Sequence, residues 1–128
     1  MNNLENNDIE KLIKAIKLIQ TQVKWKSANK AEIHLAKRIK LGHLKNSSSL
    51  DDYEKIIQIT IFNPESKIYI FRDDDSFYPS ITNQINNQLW LVMFSLDGIM
   101  EMAFPPSNPE KYLNNNPFVY FGKLKELV

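Results

Sequence analysis

With 128 residues, 43% of them hydrophobic and 24% charged, the chain has the length and composition of one globular domain that buries a core without disulfides or a structural metal. It holds no cysteine, which excludes a disulfide framework, a thiolate metal site and a cysteine nucleophile, and fits a reducing, cytoplasmic setting. The net charge of +1 conceals a division: residues 1–45 hold ten Lys/Arg against four Asp/Glu, residues 46–128 six against eleven. The basic portion suits a polyanion such as RNA or an acidic partner protein, although charged faces are also the usual surface of solvated helices.

The start, Met1 to Asp8, lacks the basic and apolar stretches of a secretory signal, and no run approaches the roughly 18 apolar residues of a membrane span. A soluble protein is expected. From Asp8 to about Lys24, Ile9, Leu12, Ile13, Ile16, Ile19 and Val23 recur at helical steps with lysines between them, predicting an amphipathic helix with Asp8 as its cap and Trp25 closing it against the core. A second helix is predicted from Asn29 to Leu41, with Ile33, Ala36 and Ile39 turned inward and Gly42 as a left-handed stop. Ser49 followed by Asp52 announces a third helix, burying Leu50, Tyr53, Ile56, Ile57 and Thr60 and ending before Asn63-Pro64.

Beyond Pro64 the period changes to two. Lys67–Arg72 reads as a strand, Asp73–Asp75 as a turn, and Phe77–Thr82 as a second strand kept at an edge or bulged by Pro79. Asn83–Gln88 is turn-like, Leu89–Phe94 is the strongest strand, and Asp97-Gly98 signals a hairpin into Ile99–Phe104. Pro105, Pro106 and Pro109 argue against regular structure immediately afterwards, and Phe118–Phe121 reads as a short strand or closing segment. Three helices followed by three or four antiparallel strands, without an internal repeat, make an α+β fold in a single domain spanning 1–128.

The densest polar constellation is His34, Lys37, Arg38 and His43. His34 and Arg38 stand four apart on the second helix, so imidazole and guanidinium project together, as a shared phosphate requires. His43 falls just past the helix end, where the dipole favours its protonated form. Two histidines nine residues apart share no helical face and no carboxylate pattern completes a shell, so no metal is expected. Three glycines build no phosphate cradle, and there is no nucleophile elbow. Asp73–Asp75 lacks the spacing of a calcium loop. Trp90, Phe118, Tyr120 and Phe121 are stacking candidates, but aromatic residues at strand spacing more often pack a sheet.

The order His34, Arg38, Gly42-His43, then Leu50–Glu54, Trp90–Phe94, Asp97–Pro105 and Tyr112-Leu113 resembles the barnase, EndoU, colicin D and RelE-like ribonuclease superfamily, particularly its stand-alone and phage-encoded toxins. The resemblance spans about residues 30–125, giving an N-terminal amphipathic helix over 1–27 and a ribonuclease-like core over 28–128. It implies metal-independent, cofactor-free cleavage of RNA by attack of the ribose 2′-hydroxyl on the adjacent phosphate, with an acidic antitoxin or immunity protein as partner. That chemistry asks for a base, an acid and cations at the phosphorane. His34, Arg38, His43 and Glu101 are the catalytic candidates, with Lys37, Lys40, Tyr53 and Arg72 contacting substrate. The sequence departs from the pattern at Met102, where related toxins commonly carry Thr or Ser before the Ala-Phe pair. Ser95 or Tyr53 is then expected to supply the hydroxyl, or the chain is an inactive relative that binds protein or RNA.

Overall fold

The structure, a computed structural model, describes residues 6–128. The reading of Met1 to Glu5 lies outside the described residues. Helix α1 runs over Asn6–Thr21, α2 over Ala28–Lys40 and α3 over Leu50–Phe62, followed by strands β1 Lys67–Asp73, β2 Ser76–Ile85, β3 Gln88–Phe94 and β4 Met100–Phe104. The chain continues as α4 Pro109–Asn115, β5 Phe118–Lys123 and the four-residue α5 Leu124–Leu127. The strands form one antiparallel sheet in the order β4-β3-β2-β1-β5. The fold is therefore α+β as expected, with five strands instead of three or four.

Each helix begins and ends for local reasons. Asp8 lies inside the first turn of α1 instead of capping it, and the helix stops at Thr21, three residues short of the expected end. Lys24 then bridges Ile99 in parallel, and its carbonyl accepts from the Met100 N–H at 2.7 Å, covering the start of the free edge of β4. Ser49 and Asp52 form a reciprocal capping box on α3. Gly42, at φ +77°, ends α2 in the left-handed turn that its lack of Cβ permits. Leu12, Ile16 and Ile19 of α1 and Tyr53, Ile57 and Ile61 of α3 share one core with Ile68, Ile81, Trp90, Val92 and Phe94 of the sheet.

Three further expectations are corrected. First, α2 buries Ala31, Leu35 and Arg38; of the expected inward residues Ile39 packs partly buried against the core, while Ile33 is 52% exposed and Ala36 also faces solvent. Both series repeat at helical spacing, and the one containing an arginine is the inward one. Second, β2 is central and extends to Ile85, turning through Asn86 and Asn87, both at positive φ. Pro79 is accommodated because the register with β3 begins one residue later, at Ser80. Third, the proline-rich stretch leads into a helix: Asn108 caps α4 by accepting from the Lys111 N–H, and Pro109 occupies the first helical position, where its missing N–H costs nothing. The chain from β4 to β5, at opposite edges of the sheet, runs through α4. Its Tyr112 packs between Phe104 and Phe118 at 5.3 and 5.7 Å between ring centroids.

Candidate functional site

Where α2 meets β4, the inward turn of α2 and the Pro105–Ser107 segment enclose a cleft of about 660 Å³. His34, Lys37 and Arg38 line it from the helix, His43 from the turn beyond it, and Glu101 from β4. All four catalytic candidates and Lys37 thus meet at one concavity. Lys40 is exposed and does not line it. Arg72 lies on β1, separated from β4 by two strands, where it pairs with Asp8 at 3.7 Å. Tyr53 is fully buried between Trp25 and Trp90, and its hydroxyl donates to the carbonyl of Ala103. It supports β4 and does not reach the cleft.

Arg38 dominates the electrostatics. Only 5% of the residue is exposed, yet no carboxylate pairs with it among the described residues, and its Nε has no hydrogen-bond partner. Its guanidinium lies 5.4 Å from the Phe104 ring centroid, and its Nη1 contacts His43 Nδ1 at 3.3 Å. A guanidinium offers donors and no acceptor, so a hydrogen bond at this contact uses the Nδ1 lone pair and the tautomer with its proton on Nε2. The direction runs against the expected favouring of protonated His43: burial, then the charge of Arg38, lower its pKa below the ordinary histidine value. The Gly42 turn folds residue 43 back onto the last turn, its N–H donating to the Arg38 carbonyl at 2.8 Å, so the imidazole meets the cation beside it.

His34 is lowered as well, first by burial and then by Arg38, with Lys30 and Lys37 acting in the same direction and Glu101 opposing them. Its ring stacks on Trp25 at 5.4 Å, and Trp25 Nε1 donates to Glu54 Oε2 at 2.8 Å, so α3 fixes the platform on which the imidazole rests. Neither Ser95, whose Oγ accepts from the Ile99 N–H in the β3–β4 hairpin, nor Tyr53 brings its hydroxyl to the cleft. Ser107 and Tyr112 bring hydroxyl-bearing side chains to the cleft wall. Sequence reasoning missed Ser107 as a lining residue and gave Tyr112 no role, because it left the segment after Phe104 irregular. The signal that finds them is Asn108-Pro109, an N-cap followed by proline at the first helical position.

Among the described residues, no three His, Asp or Glu side chains gather to hold a metal ion, and no helix is long and apolar enough to cross a membrane. No protein-family model matches the chain, and neither the curated proteins nor the solved structures contain a match.

Proposed function

We propose that this protein is a metal-independent endoribonuclease whose scissile phosphate binds at Arg38. The observation that carries the reading is a buried guanidinium with no carboxylate partner among the described residues, opening on a cleft with two histidines and a glutamate. Such a charge is costly unless something anionic completes it, and a planar fork suits two phosphate oxygens. In this reading Arg38 and the Nε2–H of His43 hold the non-bridging oxygens as charge develops. Glu101 removes the 2′-hydroxyl proton, the 2′-oxygen attacks phosphorus, and the bond to the 5′-oxygen breaks as protonated His34 donates to that oxygen. The products are a 2′,3′-cyclic phosphate and a 5′-hydroxyl. The division of charge along the chain fits a cytoplasmic toxin covered by an acidic partner.

A second reading, an inactive relative that binds RNA or protein through the same surface, draws on Met102 and on the exposed Ile33 of α2 and Leu41, the latter lining the cleft just past the helix end. Incubating the purified chain with bulk RNA in EDTA separates the two. Cleavage that His34→Ala, Arg38→Ala or His43→Ala abolishes in folded protein is the expected result. Intact RNA at high concentrations of folded wild-type protein sinks the ribonuclease reading and favours the binding module.

A further inference from the structure

Beyond the phosphate cleft, across a wall formed by Phe104, Ser107 and Tyr112, lies a second pocket of about 320 Å³. That volume is at the small end of ligand pockets, which run from roughly 300 to 1,000 Å³. Its other side is built by the start and end of α4, with Asn108, Lys111, Asn115 and Asn116 around the rim. Three amides and one cation beside two aromatic rings are unlike a site for an ion: they offer neutral donors and acceptors next to a flat apolar wall.

The hydrogen bonds inside the fold fix what two of these amides present. Asn108 Oδ1 accepts from the Lys111 N–H at 3.2 Å, leaving its Nδ2 as a donor. Asn116 Nδ2 donates to the Tyr112 carbonyl at 2.8 Å, leaving its Oδ1 as an acceptor. Asn115 is exposed and lines the same pocket. Tyr112 is held in place by Phe104 on one side, nearly perpendicular at 87°, and by Phe118 on the other. A rigid aromatic wall with a donor and an acceptor at its rim matches the face and the polar edge of a nucleobase.

We infer that this pocket is a nucleobase subsite for the nucleotide whose phosphate lies at Arg38. The inference rests on the proposed phosphate site and deepens it: a base seated against Tyr112 orients the ribose next to the cleft, so the 2′-hydroxyl is positioned before reaction and binding energy remote from phosphorus serves the chemical step. Lys111, on the same rim, is placed to meet a neighbouring backbone phosphate.

The test is a nuclear magnetic resonance titration of the full chain in EDTA, first with inorganic phosphate and then with each of the four nucleoside 3′-monophosphates. At least one nucleotide is expected to bind about 10- to 100-fold more tightly than phosphate, the scale of one stacked base with its polar contacts. It should move the side-chain amide signals of Asn108, Asn115 and Asn116, which phosphate leaves in place. Asn115→Ala, and Asn108→Ser, whose hydroxyl keeps the cap on α4 while removing the free donor, should bring the nucleotide down toward phosphate affinity without changing phosphate binding. Nucleotides that bind no better than phosphate would overturn the subsite and leave the phosphate site standing. A nucleotide preference untouched by both variants would overturn its location. Wild-type protein that binds neither phosphate nor nucleotide overturns the subsite and the phosphate site together, whereas base-dependent binding without RNA cleavage upholds the subsite and removes only the reaction.

Discussion

The chain has two arginines, and the fold treats them oppositely. Both guanidinium groups lie over a phenylalanine, Arg38 at 5.4 Å from the Phe104 centroid and Arg72 at 5.5 Å from that of Phe77. Arg72 has a side chain 47% exposed and Asp8 beside it. Arg38 is buried on the inward face of α2, without a carboxylate partner among the described residues, and its Nη1 contacts the imidazole of His43. Charge alone therefore does not mark a site. The informative arginine is the one whose surroundings leave its charge unanswered, because water satisfies an exposed cation and cannot fully satisfy a buried one.

The sharpest way to break this contrast is Arg38→Met, which keeps the length and apolar stem of the side chain while removing the charge. RNA cleavage should fall by about 10²- to 10³-fold, the loss typical for one donor to developing oxyanion charge. Stability, read by denaturant unfolding, should stay unchanged or rise by up to about 2 kcal/mol as an unpaired buried polar group is removed. A loss of both activity and stability would show that Arg38 is a structural residue. His34→Gln should lower cleavage by about 10²-fold or more by removing the proposed general acid, and it should also flatten the pH dependence of stability.

The sign of that dependence follows from the pKa directions. His34 and His43 are both lowered in the folded protein, so between their folded values and about 6.5 the unfolded chain binds more protons. Their contribution is fully present above about pH 6.5 and is lost as pH falls through the folded values. Activity runs the other way: kcat/KM should fall as pH rises through the lowered value of His34, giving an optimum on the acid side of 6.5.

Smaller effects probe the supports. Tyr53→Phe removes the hydroxyl that donates to the Ala103 carbonyl and should cost about 1 kcal/mol of stability. The smallest effect is expected for Arg72→Ala, within about 1 kcal/mol in stability and without change in cleavage, as befits an exposed ion pair.

The elements most legible in the sequence were those governed by neighbours along the chain. Ser49 and Asp52 specify the start of α3, and Gly42 the end of α2. Asp97-Gly98 specifies its hairpin, where Gly98 at φ +75° also admits Leu18, whose Cβ would lie 2.7 Å from an added Cβ. Illegible features depended on distant partners. Whether α2 turns Ile33 or Arg38 inward is decided by β4 and Phe104, so the helical period alone offered two faces, and Arg38 is buried where Ile33 is exposed. The five-residue separation of Arg38 and His43 put them close in any reading, but the lowered pKa of His43 follows from its burial and from their contact. Glu101 could be named only as a strand residue; its place beside His34 required the pairing of β3 with β4 and the docking of α2. Tyr53 and Arg72, reasonable substrate residues by type, are committed to β4 and to Asp8.

The most direct measurement is cleavage of a defined single-stranded RNA in EDTA near pH 6, with the product ends identified by mass spectrometry, for wild-type protein and Arg38→Met side by side. The account predicts 2′,3′-cyclic phosphate and 5′-hydroxyl ends from the wild type, loss of nearly all cleavage in a variant at least as stable, and no cleavage where the 2′-hydroxyl is replaced by hydrogen. Equal cleavage by both proteins, or intact RNA with folded wild type, would contradict it.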